Sequence, residues 1–218
     1  MTRSPYEIII PAIIKSDGKN CVLSIDLETL ILKKEQFLTY EKIIAVSLSY
    51  MDGDMKTQLY VAEDDSADSE FEILSKLDTF IRDLSPSVII GYNQTGYDIP
   101  LLRMKMAKLP YGKQLWNLKH FLSVSYTLDM MQVIAEFLGK YDGDYRFRKL
   151  SEVVSHEAFA DLPLDRKKHL VVREDMNIGE AIHEMWKSKS SEFLEYCRGD
   201  TRDVLSIFNY IFRVDRLE

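Results

Sequence analysis

The sequence predicts an α/β layered domain with a mixed β-sheet covered by helices. Three observations predict it. Apolar, β-branched runs dominate the first part of the chain, and an Asp-Gly turn signal joins two of them. A short apolar run ending at Gly91 is followed by a helix-opening sequence, the pattern of a strand-helix crossover. From Asp129 onward apolar residues recur at helical spacing instead. With 218 residues the chain suits one domain and can bury a sizeable core. We read residues 1–20 as an N-terminal extension and 21–213 as the core.

In chain order, Glu7–Ile14 reads as an extended segment. Cys21-Val22-Leu23-Ser24-Ile25 reads as a buried strand leading straight into Asp26. Ile43–Tyr50 is a second strand, Met51-Asp52-Gly53-Asp54 a hairpin turn, and Lys56–Ala62 the returning strand. Glu70–Leu84 carries apolar residues on one helical face, from Phe71 through Leu84, and Ser85-Pro86 stops it. Val88-Ile89-Ile90 is a short strand. A helix follows over Asp98–Lys108, ended by Pro110. The remaining helices fall at about Asp129–Leu138, Leu150–Val154, Gly179–Trp186 and Glu192–Phe212. Phe159–Asn177 is polar, with a basic cluster and a short Leu170-Val171-Val172 run, and reads either as an insertion that shapes a substrate channel or as a surface loop.

Composition narrows the function. Apolar residues make up 46% and charged residues 29%, an ordinary globular balance. Ile8–Ile14 is the longest membrane candidate. It is too short and holds Pro11, since about 20 apolar residues are needed to span a bilayer. Without a signal-peptide pattern, a soluble cytoplasmic protein with no membrane partner is expected. Cys21 and Cys197 form no CxxC pair, and His120, His156, His169 and His183 show no ligand spacing, which disfavours a zinc or Ser-His-Asp enzyme. The net charge of −7 argues against a protein that coats nucleic acid. It argues less against an enzyme whose site binds cations. Basic residues cluster at Arg103, Lys105 and Lys108, at Arg146, Arg148 and Lys149, and at Arg166, Lys167 and Lys168. Each cluster is either ordinary surface or a path for a phosphate backbone.

Three acidic motifs carry chemistry. Asp26 and Glu28 stand two apart at a strand end, so their carboxylates share a face. Asp98 opens a helix after Asn93-Gln94-Thr95-Gly96-Tyr97 and could be a plain cap. Tyr196 and Asp200 lie one helical turn apart on one face. Gly199 between them is costly inside a helix, by about 1 kcal/mol against alanine, and suggests a bend, a break or a close ligand. Magnesium prefers octahedral oxygen coordination with one or two carboxylates. Four carboxylates can therefore hold two Mg2+ or Mn2+ ions, with one serving the nucleophile and the other the leaving oxygen.

These motifs resemble the DEDD superfamily of 3′–5′ exonucleases, which have a ribonuclease-H-like fold. Asp26 and Glu28 match its first motif, Asn93, Tyr97 and Asp98 its second, and Tyr196 with Asp200 its third in the tyrosine-containing DEDDy form. The run from Gly91 to Leu102 looks most like the proofreading domain of B-family DNA polymerases. The resemblance implies that Asp26 bridges two metals, that Glu28 and Asp200 complete one of them, and that Asp98 supports the other. It implies that Tyr196 orients the attacking water, that Thr29 touches the 3′ end and that Leu30 packs on the terminal base. Asn93 would contact the penultimate nucleotide or hold the site loop. Asp129 is a cap or a further site residue. Glu218 leaves no room for polymerase palm or fingers, which points to a stand-alone nuclease meeting any polymerase or repair partner in trans.

The leading expectation is hydrolysis of single-stranded DNA from the 3′ end to nucleoside 5′-monophosphates. RNA is the rival substrate, distinguished by its 2′-hydroxyl. A catalytically silent nucleic-acid-binding module and a mononucleotide phosphohydrolase are the other readings.

Overall fold

A computed structural model describes residues 4–18, 21–30, 41–166 and 178–214. Its strands are β1 (Val22–Leu30), β2 (Lys42–Asp52), β3 (Asp54–Val61), β4 (Val88–Gly91) and β5 (Tyr126–Asp129). They form one mixed sheet in the order β3-β2-β1-β4-β5. The pairs β1–β2 and β2–β3 are antiparallel, whereas β1–β4 and β4–β5 are parallel. The helices are α1 (Tyr6–Asp17), α2 (Ala67–Leu84), α3 (Asp98–Lys108), α4 (Trp116–Val124), α5 (Met130–Asp142), α6 (Leu150–Val154), α7 (Ile178–Lys187) and α8 (Ser191–Phe212). This is the α/β fold expected from the sequence, with helices on both sheet faces. No helix among the described residues is long and apolar enough to cross a membrane.

Alternation along the central strands builds two cores. Leu23, Ile25 and Leu27 of β1 and Ile89 of β4 join α2 and α4 in one apolar cluster. Val22, Val88 and Ile90 point the other way, into a cluster with α1, α5 and the second half of α8. Each fully buried Leu or Ile contributes roughly 1.5–3 kcal/mol. Continuous apolar runs are what a strand covered on both faces requires.

Three expectations are corrected. Glu7–Ile14 is helical, not extended, within α1. Ile10 and Ile14, four residues apart, are both buried against the second core. That packing outweighs the β-branched composition and Pro11, which forgoes one helical hydrogen bond. β5 and α4 were not anticipated. β5 has four residues and gains its identity from parallel pairing of Gly91 with Asp129. Lastly, Phe159 and Leu164 are core residues, not insertion surface. Residues 167–177 of that stretch, with Lys167, Lys168 and His169, lie outside the described residues.

Two features place the acidic motifs. β4 pairs β1 only over Val22–Ser24, so β1 runs on past its parallel neighbour. Asp26 and Glu28 sit on this continuation, inside the strand rather than after it, held from one side by β2. Their side chains share the parity of Ser24, on the face opposite the Leu23, Ile25 and Leu27 cluster. There α8 crosses close to the sheet. Thr201 Oγ1 lies 2.9 Å from both Ser47 Oγ and Ser49 Oγ of β2, and small hydroxyl residues keep the approach short. α8 is capped by Ser190, whose hydroxyl accepts from Phe193 N at 3.1 Å. It runs unbroken through Gly199, where a Cβ would meet the Asp165 carboxylate at 3.7 Å, an ordinary contact.

Gly91 has no such room. A Cβ there would lie 2.8 Å from the Ile25 carbonyl oxygen and 2.8 Å from Gln94 Oε1. Gly91→Ala should therefore push β4 from β1 next to Asp26. The expected loss is about 1–3 kcal/mol, the usual cost of overpacking, read by urea denaturation. Wild-type stability in this variant would mean that the two strands approach less closely.

Candidate metal centre

Asp26 and Glu28 of β1 meet Asp200 of α8. One carboxylate oxygen of each lies within 4.8 Å of the others. Asp98 stands beside this triad. It is the first residue of α3 and 4% exposed. Its Oδ1 accepts a hydrogen bond from Leu27 N at 3.1 Å, so it is anchored to the backbone between the two β1 acids. The structure thus gathers three of the four predicted carboxylates into one cluster and sets the fourth against its base. Tyr196 precedes Asp200 by one turn on the same helix, half-buried.

Electrostatics favour a cation here. Burial raises Asp26 to about 6, offset by a hydrogen bond with Glu28. Glu28 is held well above the usual carboxylate range by burial and by the charges of Asp26, Asp200 and Asp98. Asp98 and Asp200 are likewise raised, by burial first and then by Asp26. No lysine or arginine is among the largest influences on any of the four. The Tyr196 hydroxyl is pushed far up, foremost by Glu28, and stays a proton donor. Buried or half-buried, mutually repelling oxygen donors suit a hard divalent cation. Proton sharing between Asp26 and Glu28 relieves part of the repulsion.

The second motif is held from the neighbouring strand. Asp129, 5% exposed, accepts hydrogen bonds from Asn93 N at 3.0 Å, Thr95 N at 3.1 Å and the Thr95 hydroxyl. It also caps α5 by accepting from Met131 N at 3.1 Å. Its capping and loop-holding roles are therefore one role. Asn93 is exposed, with φ +61, a left-handed conformation asparagine tolerates. Of its two expected roles, the geometry fits the holding of the loop.

Thr29 is 8% exposed and its Oγ1 lies 2.6 Å from the Tyr97 hydroxyl, which also donates to Glu41. The register of β1 against β2 shifts between Glu28 and Thr29, where Ile44 is the extra residue of β2. Leu30 is 5% exposed and packed in the first core.

Sequence reasoning missed several neighbours. Ser24, Tyr92, Leu150 and Thr201 line a cavity of about 100 Å3 shared with Asp26 and Asp200. Ser24 is in phase with Asp26 and Glu28, a signal legible in the strand period. Gln94 is fully buried, and its amide donates to Ile89 O at 3.2 Å and Leu128 O at 2.9 Å, lacing β4 to β5. Nothing in the sequence marked it. Of the basic clusters, Arg148 is buried and paired with Asp142 at 2.9 Å and Asp144 at 3.0 Å, and Arg146 pairs with Asp144 and Glu152. Those cations serve the fold.

Comparison with known proteins agrees with the geometry. A family model described as DNA polymerase family B, exonuclease domain, matches residues 8–132, which include Asp26, Glu28, Asn93 and Asp98. Tyr196 and Asp200 lie beyond the matched residues. No curated protein sequence matches the chain. Among solved structures it is similar to the family B DNA polymerase of the hyperthermophilic archaeon Pyrobaculum calidifontis, with 17% identity and a TM-score of 0.63. The match covers 87% of this chain and 24% of that one, so the chain spans about a quarter of the polymerase's length.

The buried charge has a measurable consequence. A carboxyl raised on folding stabilises below its unfolded value, about 4 for aspartate, and that stability is lost as pH rises through its folded value, about 6 for Asp26. Metal-free protein should lose thermal stability between those values, and Mn2+ at neutral pH should restore it. Asp26→Asn should melt higher than wild type without metal and respond weakly to Mn2+. A variant that melts lower and still responds to Mn2+ would remove Asp26 from the centre.

Proposed function

Because the chain belongs to the family of exonuclease domains of family B DNA polymerases, we propose that it is a metal-dependent 3′–5′ exonuclease acting on single-stranded DNA ends. Residues 1–218 form one exonuclease domain in this reading, with α1 as part of it. The observation that carries the reading is the convergence of Asp26, Glu28 and Asp200 within 4.8 Å, with Asp98 bonded to the backbone between the first two and Tyr196 one turn away.

Asp26, Glu28 and Asp200 would hold one divalent cation, and Asp98 with Asp26 would hold a second. When bound, the cations supply Lewis acidity and a water of lowered pKa for phosphodiester hydrolysis. The chain's own groups do the rest. Tyr196 keeps its phenolic proton, because three carboxylates surround it, and so donates a hydrogen bond that aims the attacking water at the terminal phosphate. Thr29, bonded to Tyr97, offers its backbone at the 3′ end. Asn93, pinned through Asp129, fixes the loop that carries Asp98. The products are a nucleoside 5′-monophosphate and a strand shorter by one unit.

The test uses 5′-labelled and 3′-labelled DNA and RNA oligonucleotides with Mg2+ or Mn2+. Stepwise shortening of DNA from the 3′ end is expected, and Asp26→Ala should abolish it. Faster shortening of RNA would transfer the reading to an exoribonuclease, and loss from the 5′ end would overturn the polarity. Tyr196→Phe should lower turnover roughly tenfold, the worth of one hydrogen bond of about 1.4 kcal/mol. Unchanged turnover would take the tyrosine out of its role.

A further inference from the structure

From Ile99 to Leu128 the chain has no Asp or Glu and five Lys or Arg, in a protein of net charge −7. This interval is α3, α4 and the turn between them, and it starts at the candidate centre, since Asp98 opens α3. The folded interval spends some of its charge internally. Lys105 pairs with Glu70 at 2.7 Å and Lys113 with Asp68 at 3.1 Å. Arg103 also donates to the Leu122 carbonyl at 2.9 Å. Arg103 and Lys119 are exposed and line one groove of about 320 Å3 between α3 and α4, with Met106, Gln114 and Leu122.

Beside that groove an exposed aromatic pair stands in solvent. Tyr111 is 86% exposed and Trp116 56%, with ring centroids 6.4 Å apart in an edge-to-face arrangement. Lys119 Nζ lies 5.4 Å from the Trp116 ring centroid. Core packing explains Leu118, Phe121 and Leu122 of α4 but not Trp116. Open aromatic faces flanked by cations are the means by which proteins hold unpaired bases and a phosphate chain without reading sequence.

We propose that the Tyr111–Trp116 pair, with Arg103 and Lys119, is a second contact for the single strand, several nucleotides from the cleaved end. The proposal rests on the exonuclease reading above. The ten residue steps of α3 span about 15 Å, which at roughly 3.4 Å per stacked nucleotide is about four nucleotides of strand. A trinucleotide therefore ends short of the aromatic pair, and a dodecamer reaches it.

The experiment measures kcat/KM of the full chain on a DNA trinucleotide and a DNA dodecamer, for wild type, Tyr111→Ala/Trp116→Ala and Lys119→Gln. Anisotropy of a labelled dodecamer in EDTA gives binding apart from cleavage. The aromatic double variant should bind the dodecamer roughly tenfold to a hundredfold more weakly, as loss of one stacked base implies. Its dodecamer-to-trinucleotide ratio of kcat/KM should fall accordingly, through KM rather than kcat. Lys119→Gln should flatten the salt dependence of dodecamer binding by about 0.7 in the log-log slope. Thermal melts of the variants identify any that fail to fold. Unchanged dodecamer binding and an unchanged ratio in the folded double variant overturn the proposal, and that outcome also covers a surface that serves a protein partner. Failure of wild type to shorten either substrate would instead overturn the exonuclease reading, while dodecamer binding in EDTA would still report on the aromatic pair.

Discussion

Asp26, Glu28 and Asp200 bring carboxylate oxygens within 4.8 Å of one another in a place where burial already disfavours each charge, and the surrounding fold must hold them there against that repulsion. The bracing is visible on every side. β2 pairs with β1 along both acids, and Thr201 fastens α8 to β2 through Ser47 and Ser49. Asp98 is fastened to Leu27 N, and α3 is tied down by Lys105, which pairs with Glu70 and donates to the Glu41 carbonyl. Glu70 in turn accepts from Ile43 N at 2.8 Å. One buried ion pair thus joins α2, β2 and α3 behind the centre.

The second motif shows the same economy from the other side. Asp129 ends β5, caps α5 and accepts three hydrogen bonds from Asn93 and Thr95. Gln94 closes the floor by bridging the carbonyls of Ile89 and Leu128. Gly91 lets that floor approach Ile25. The loop is therefore shaped by groups from three strands.

What the sequence made legible was whatever depends on period and order. The parity of Ser24, Asp26 and Glu28, the turn spacing of Tyr196 and Asp200, and the Asp-Gly hairpin all follow from local geometry. α3, α6 and α8 fall where their local sequence puts them, and Ser190 caps α8. What remained hidden depends on partners far away in sequence. α1 is a helix because Ile10 and Ile14 find the second core. β5 is a strand because β4 lies beside it. Leu30 is buried because residues distant in sequence cover it in the first core. Asp129 looked like a cap, and only the fold reveals the loop it also holds.

The contact between Thr201 and Ser47 joins residues 154 positions apart, and α8 follows every other described helix in sequence. On a ribosome, Asp26, Glu28 and Asp98 therefore emerge well before Tyr196 and Asp200. Domains complete their long-range contacts only when the needed segments are available. A growing chain passes most of its synthesis with an incomplete acidic cluster. The cluster would be completed late, when α8 docks on β2 through Thr201 and Ser47.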